Sequence, residues 1–213
     1  MFRHTTLLQC EAKPERPDPV LARKIQELIG GAWGEMTVAT QYLFQGWNCR
    51  IEGKYKDLIM DTATEEIGHV EMLATMVARL LEDAPATQVA HGVTDPAVAA
   101  AMGGMDVQQA IVAGGGATPR DSNGVPWSGG YIVASGNLLA DFRTNVAAES
   151  QGRLQTARIY NMTDDPGVRE MLKFNNTIWQ LSDGGAGPSG GWSSGEDAID
   201  YLTDPRAIVK TCG

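Results

Sequence analysis

Apolar residues recur at helical spacing along four stretches of the chain. Between about Val20 and Asn48 they fall at Leu21, Ile25, Leu28, Ala32, Ala39 and Leu43, which predicts a first helix. The pair Gly30 and Gly31 interrupts that run at a cost of roughly 1 kcal/mol per glycine, and glycines on one face are what close helix packing uses. A break is expected at Arg50 to Gly53. A second helix is predicted from Lys54 to Leu81 through Leu58, Thr62, Leu73, Met76 and Leu80, ended by Asp83 and Pro85. A third runs from near Ser135 to Asn161 through Leu138, Phe142, Val146, Arg153 and Tyr160. Asp165 followed by Pro166 is a strong start signal for a fourth, with aspartate as cap and proline in the first turn. Its apolar positions are Val168, Met171, Leu172 and Phe174. The pattern predicts a stop at Phe174, before Asn175, Asn176 and the run SDGGAGPSGGWSSG, which cannot stay helical.

The remaining segments are of another kind. Residues 1–18 are polar and carry Pro14 and Pro17, so they read as an extended arm. Residues 83–133 are rich in Gly, Pro and Asn, with one short helical candidate at Asp95 to Met102. A loop of that length inside a compact domain is uncommon and usually functional or interfacial. Residues 175–213 read as a glycine-rich loop and tail. The arm and the tail both have the character of segments that wrap a neighbouring subunit. The whole predicts an all-α fold: a helix bundle over 19–174, with one long crossover between its second and third helices.

Composition narrows the function. The chain of 213 residues has 26 Asp+Glu against 17 Lys+Arg, a formal net charge of −9. No basic stripe exists for a phosphate backbone, so nucleic-acid binding is not expected. No apolar run approaches the ~20 residues of a membrane span, and the N-terminus lacks the pattern of a secretory signal. The three cysteines (Cys10, Cys49, Cys212) form no Cys-x-x-Cys pair. They read as reduced thiols in a cytoplasmic protein.

The informative feature is where acidic residues fall. Glu35 lies in the row Leu28, Ala32, Glu35, Ala39, the inward stripe of the first helix. Glu66 and His69 share a stripe with Thr62, Leu73 and Met76 in the second. Glu149 lies in the row Phe142, Val146, Glu149, Arg153 of the third. An ionised carboxylate buried alone costs several kcal/mol, so such groups are paired, protonated or bound to a cation. Glu35 and Glu66 also stand at equal distances, about fifteen residues, on either side of the break near residue 50. In an antiparallel hairpin this places them at one height. Glu66 and His69, three apart, form the Glu-x-x-His spacing of di-iron and dimanganese carboxylate bundles. Such ligands suit manganese, iron or zinc. A lone Glu-x-x-His arises often by chance, and His4 and His91 read as surface residues of loops. The inward glutamate on each of three helices favours a metal centre.

With these residues in hand, the sequence resembles the manganese catalases, ferritin-like non-haem enzymes that disproportionate hydrogen peroxide. The resemblance is carried by GGAWGEMTVATQYLFQGW, KYKDLIMDTATEEIGHVEMLATMVARLLEDAP, SGNLLADFRTNVAAESQGRLQTARIYNMTDDPGVREMLKF and the long loop. It implies a dimanganese pair held by Glu35, Glu66, His69 and Glu149. It also implies that Tyr42 is a tyrosine hydrogen-bonded to a ligand carboxylate. A calcium site is implied as well, from Asp57 and Asp61 on the second helix with Gln180, Ser182 and Gly184 from a C-terminal loop; hard oxygen donors are what calcium takes. A homo-hexamer is implied by the same resemblance.

The sequence departs from that family in one place. A second histidine, three residues after a glutamate, is expected on the fourth helix at the height of Glu149, near residues 178–183. Those residues are Ile178, Trp179, Gln180, Leu181, Ser182 and Asp183. With the helix predicted to end at Phe174, it stops short of the metal layer, as though a segment had been removed. Two further readings follow: a ferritin-like structural or coat protein without turnover, and a related di-iron oxidase or peroxidase.

Overall fold

The computed structural model describes residues 7–51, 53–82 and 111–181, with side chains up to residue 175. The expected helix at Asp95–Met102, together with His4, His91, Ser182, Asp183 and Gly184, lies outside the described residues. Among the described residues the α-helices are α1 (Pro19–Gly30), α2 (Glu35–Asn48), α3 (Lys54–Leu81), α4 (Leu138–Tyr160) and α5 (Pro166–Leu181). Among the described residues β-structure is confined to one antiparallel bridge between Arg120 and Pro126. No described helix is long and apolar enough to cross a membrane.

The expected first helix is two. Asp18 caps α1 by accepting from the Leu21 amide at 2.9 Å, with Pro19 at the first turn, where its missing N–H costs nothing. The helix then ends at Gly30, and α2 restarts at Glu35 behind Gly34. Thr37 pins the break: its hydroxyl donates to the Gly31 carbonyl at 3.3 Å and accepts from the Trp127 indole at 2.9 Å. The glycine at position 30 serves a loop and not a helix, since a Cβ there would collide with the backbone of Arg120. Close helix packing is instead the work of Gly46, whose missing side chain leaves room for Met60 and Ile59 of α3.

The second helix occupies the span its pattern predicts, Lys54–Leu81, and its buried stripe includes Ile59, Ala63, Glu66, His69, Met72, Leu73, Met76, Val77 and Leu80. In α4 the inward stripe is displaced from the predicted one. Asp141, Asn145, Ala148, Thr156 and Ile159 are buried, while Phe142, Val146 and Glu149 are half-buried. The inner face of α4 is largely polar, so the apolar periodicity misplaces it. In α5 the helix runs on to Leu181, past the predicted stop at Phe174. Two asparagines cost far less in a helix than glycine does. Gln180 accordingly lies in the last turn of a helix.

The main core joins α1, α3, α4 and α5 around Ile25, Leu28, Met72, Met76, Leu80, Val168, Met171 and Leu172. A smaller cluster of Val38, Tyr42, Ile59, Ala63 and Ala148 joins α2, α3 and α4. The described part of the N-terminal arm lies along its own bundle. The Gln9 side-chain amide donates to the Glu65 carbonyl at 3.2 Å, Ala12 is fully buried, and the Glu15 amide donates to Asp165 at 2.8 Å.

The loop before α4 is tied down by side-chain amides. Gln26 donates to the carbonyls of Thr118 and Arg120 and accepts from the Thr118 amide. Gln41 accepts from the Val133 amide at 2.9 Å, and Gln45 donates to the Val133 carbonyl at 2.8 Å. Gln41 and Gln45 also donate to Asn145 Oδ1 of α4, so loop, α2 and α4 share one buried network.

The two close approaches predict different tolerances. Gly30→Ala is expected to lower the unfolding free energy by about 2 kcal/mol or more, because backbone must move. Gly46→Ala is expected to cost less, because the sulfur of Met60 can swing aside and alanine favours the helix. Urea denaturation of both variants measures the difference.

Candidate metal centre

Four elements bring polar side chains to one small cavity of about 30 Å³, lined by Glu35, Glu66, His69, Glu149, Arg153 and Asn175 among others. The break before α2 makes Glu35 the first residue of that helix, where the partial positive charge of the helix start favours a carboxylate. Glu66 and His69, one turn apart on α3, are 6% and 4% exposed. Ligand atoms of Glu35, Glu66 and His69 all lie within 4.8 Å of one another. The hairpin therefore matches the heights of Glu35 and Glu66 as the sequence spacing predicts.

Within the cluster, His69 Nδ1 lies 2.7 Å from Glu66 Oε2 and 4.0 Å from Glu35 Oε2. Its Nε2 is buried with no hydrogen-bond partner among the described residues. Tyr42 of α2 donates its hydroxyl to Glu149 Oε1 at 2.9 Å. The Asn175 amide of α5 donates to Glu35 Oε1 at 3.0 Å.

Burial pushes the Glu35 carboxyl well above its ordinary range, with the Glu66 carboxylate adding to the effect and His69 opposing it. Burial does the same to Glu66, reinforced by Glu149. The Tyr42 phenol is raised by burial and then by Glu149. The helix start at Glu35 contributes at most ~2 kcal/mol, whereas burying an ion costs several. Burial wins, and the cluster carries negative charge at a heavy cost unless a cation joins it.

The donor set fits one. Three carboxylates and an imidazole with an orphaned buried nitrogen are oxygen and nitrogen ligands of the kind manganese, iron or zinc accept. Of the residues expected from the sequence, Glu35, Glu66, His69 and Glu149 line one cavity, and Tyr42 contacts Glu149. Asp57 and Asp61 are exposed on α3. Of the other three implied calcium donors, Gln180 has no described side chain, and Ser182 and Gly184 lie outside the described residues. Asn175 was not expected at the site, because the asparagine pair reads as a helix end. Equal spacing from Glu149 across the turn near Thr163 to Asp165 points to residues 178–183 instead, so no signal in the sequence marks Asn175. The fourth helix carries no second Glu-x-x-His: its glutamate, Glu170, is followed three residues later by Lys173, and the two form an exposed ion pair at 3.6 Å.

A bundle with one long crossover, carrying a glutamate on each of two helices and Glu-x-x-His on a third around a small cavity, belongs to the ferritin-like carboxylate class. Comparison with known proteins refines this. Residues 1–209 match the family described as manganese containing catalase. The chain is 66% identical over 174 residues to a manganese catalase of Bacillus subtilis, covering 82% of this chain and 64% of that protein. It is 52% identical over 174 residues to a manganese catalase of Lactiplantibacillus plantarum, covering 82% and 65%. The crystal structure of wild-type KatB, a manganese catalase from Anabaena, superposes with a TM-score of 0.68 at 25% identity, over 96% of this chain and 84% of that one. The chain belongs to the manganese-containing catalase family. It spans less than two-thirds of the length of the Bacillus relative, 64%.

The shifted carboxyls set a pH dependence. In the metal-free protein an acid with a raised pKa keeps its proton longer when folded than when unfolded. Stability is then fullest below the ordinary glutamate value of 4.5 and falls as pH rises from there through the raised folded-state values. The melting temperature of metal-free protein is expected to fall between pH 4.5 and neutrality. Glu66→Gln is expected to recover about 1–3 kcal/mol of that loss near pH 7.5, as measured by thermal and urea unfolding.

Proposed function

We propose that the chain disproportionates hydrogen peroxide to water and dioxygen at a dinuclear manganese centre. The observation that carries this reading is the convergence of Glu35, Glu66 and His69 within 4.8 Å, with Glu149 on the same cavity, in a member of the manganese-containing catalase family. Glu35, Glu66, His69 and Glu149 are the residues assigned to hold the metals. When bound, a manganese pair supplies the two-electron redox chemistry that takes one peroxide to water and another to dioxygen.

The protein's own contribution is charge, orientation and proton handling. Glu66 orients the His69 imidazole through Nδ1, which fixes how the other nitrogen is presented. Tyr42 holds Glu149 in place and keeps its proton, its phenol being pushed well up by burial and by that carboxylate. A cavity of about 30 Å³ has room for small guests only, which suits peroxide and excludes larger reductants. A carboxylate in this cavity is placed to move the proton that passes between peroxide oxygens.

The same reading extends to features supported by family likeness. Calcium is assigned to Asp57 and Asp61 with Gln180, Ser182 and Gly184, the assembly to a homo-hexamer, and the compartment to the cytoplasm on the cysteine pattern. A ferritin-like structural protein without turnover is the second reading, and one observation favours it: His69 is the sole histidine among the described residues. A di-iron oxidase or peroxidase shares the same donor set and is separated by which metal is taken up from equal manganese and iron.

Purified protein grown with manganese is expected to carry close to two manganese ions per chain and to evolve oxygen from peroxide. Less than one ion per chain with no gas evolved removes the enzyme reading. Tyr42→Phe is expected to retain the fold and to lose roughly 10- to 100-fold in turnover or in metal affinity, read by oxygen electrode and by metal titration.

A further inference from the structure

The fourth helix lacks the histidine that would complete the centre, yet it reaches the metal layer. Asn175 of α5 lines the same cavity as Glu35, Glu66, His69 and Glu149. Its Nδ2 donates to Glu35 Oε1 at 3.0 Å. Once a cation holds Glu35 ionised, its carboxylate only accepts, and this bond then fixes which way the amide is turned. The amide oxygen is thereby held on the other side. Asn175 Oδ1 is buried and has no hydrogen-bond partner among the described residues. A buried carbonyl-type oxygen left unsatisfied costs about 1–3 kcal/mol, and such orphans call for an explanation. His69 Nε2 is a second orphan in the same cavity.

We propose that Asn175 is a metal ligand of this centre, its Oδ1 supplying a neutral oxygen donor from the fourth helix where a histidine is absent. This rests on the manganese reading above. The assignment accounts for both ends of one side chain: the nitrogen orients Glu35 and the oxygen meets the cation. It also carries a chemical consequence. A carboxamide oxygen suits a hard ion such as manganese, whereas imidazole suits zinc. With oxygen replacing nitrogen, the centre holds manganese against zinc more strongly than a histidine would allow.

The test measures metal binding, not turnover. Manganese and zinc affinities are measured by competitive titration on full-length protein, for the parent and for Glu66→Gln, Asn175→Leu, Asn175→Asp and Asn175→His. Manganese bound by the parent and lost in Glu66→Gln establishes the underlying centre. A parent that binds no manganese ends both that reading and this proposal. Given the centre, Asn175→Leu is expected to lose 10-fold or more in manganese affinity while Asn175→Asp keeps it. Asn175→His is expected to shift the zinc-to-manganese ratio 10-fold or more toward zinc, a change that a packing role would not produce. Unchanged affinity in Asn175→Leu, or an unchanged metal ratio in Asn175→His, overturns the assignment. Should Asn175→Leu fail to fold by circular dichroism, the ratio in Asn175→His decides alone.

Discussion

Two carboxylates share the inside of a helix bundle, and their mutual repulsion governs what surrounds them. Glu35 and Glu66 sit with His69 within 4.8 Å, each pushed toward its protonated form by burial and by a neighbouring negative charge. No helix-end effect is large enough to offset that, since it is limited to ~2 kcal/mol. The arrangement is therefore unfavourable as a purely organic core. It becomes favourable when a multivalent cation replaces the lost hydration, and the polar residues around it prepare that exchange. Tyr42 donates to Glu149, Asn175 donates to Glu35, and Glu66 turns His69.

The break between α1 and α2 follows from the same demand. An uninterrupted helix would leave Glu35 in mid-helix with no compensating dipole. The Gly31 to Gly34 turn makes it a helix-initial residue, and Thr37 fixes the turn through Gly31 and Trp127. The smaller apolar cluster of Val38, Tyr42, Ile59, Ala63 and Ala148 then packs beside the charged group, while the larger core of α1, α3, α4 and α5 supplies most of the burial.

How much of this the sequence disclosed varies with the kind of signal each residue carries. The span of α3 and the pairing of Glu66 with His69 were legible because a long amphipathic run and a three-residue spacing are both local. The shared height of Glu35 and Glu66 was legible because a hairpin relates distances on either side of one turn. The inward face of α4 was not, because Asp141 and Asn145 are buried polar groups whose partners lie in the loop and in α2. The reach of α5 was misjudged because Asn175 looks like a breaker until Glu35, 140 positions away, is seen to accept its hydrogen bond. Likewise nothing near Gln26 announces that it binds the backbone of Thr118 and Arg120. Long-range polar contacts leave no periodicity to read.

Surface loops normally absorb insertions and deletions with little harm. The segment from Thr118 to Val133 is an exception by construction, because glutamines at 26, 41 and 45 grip its main chain at fixed intervals. Losing or gaining one residue there would set the grips at its two ends one peptide unit out of step with each other and strand buried amides on α1 or α2. Its length is thus held as tightly as that of any helix in the bundle.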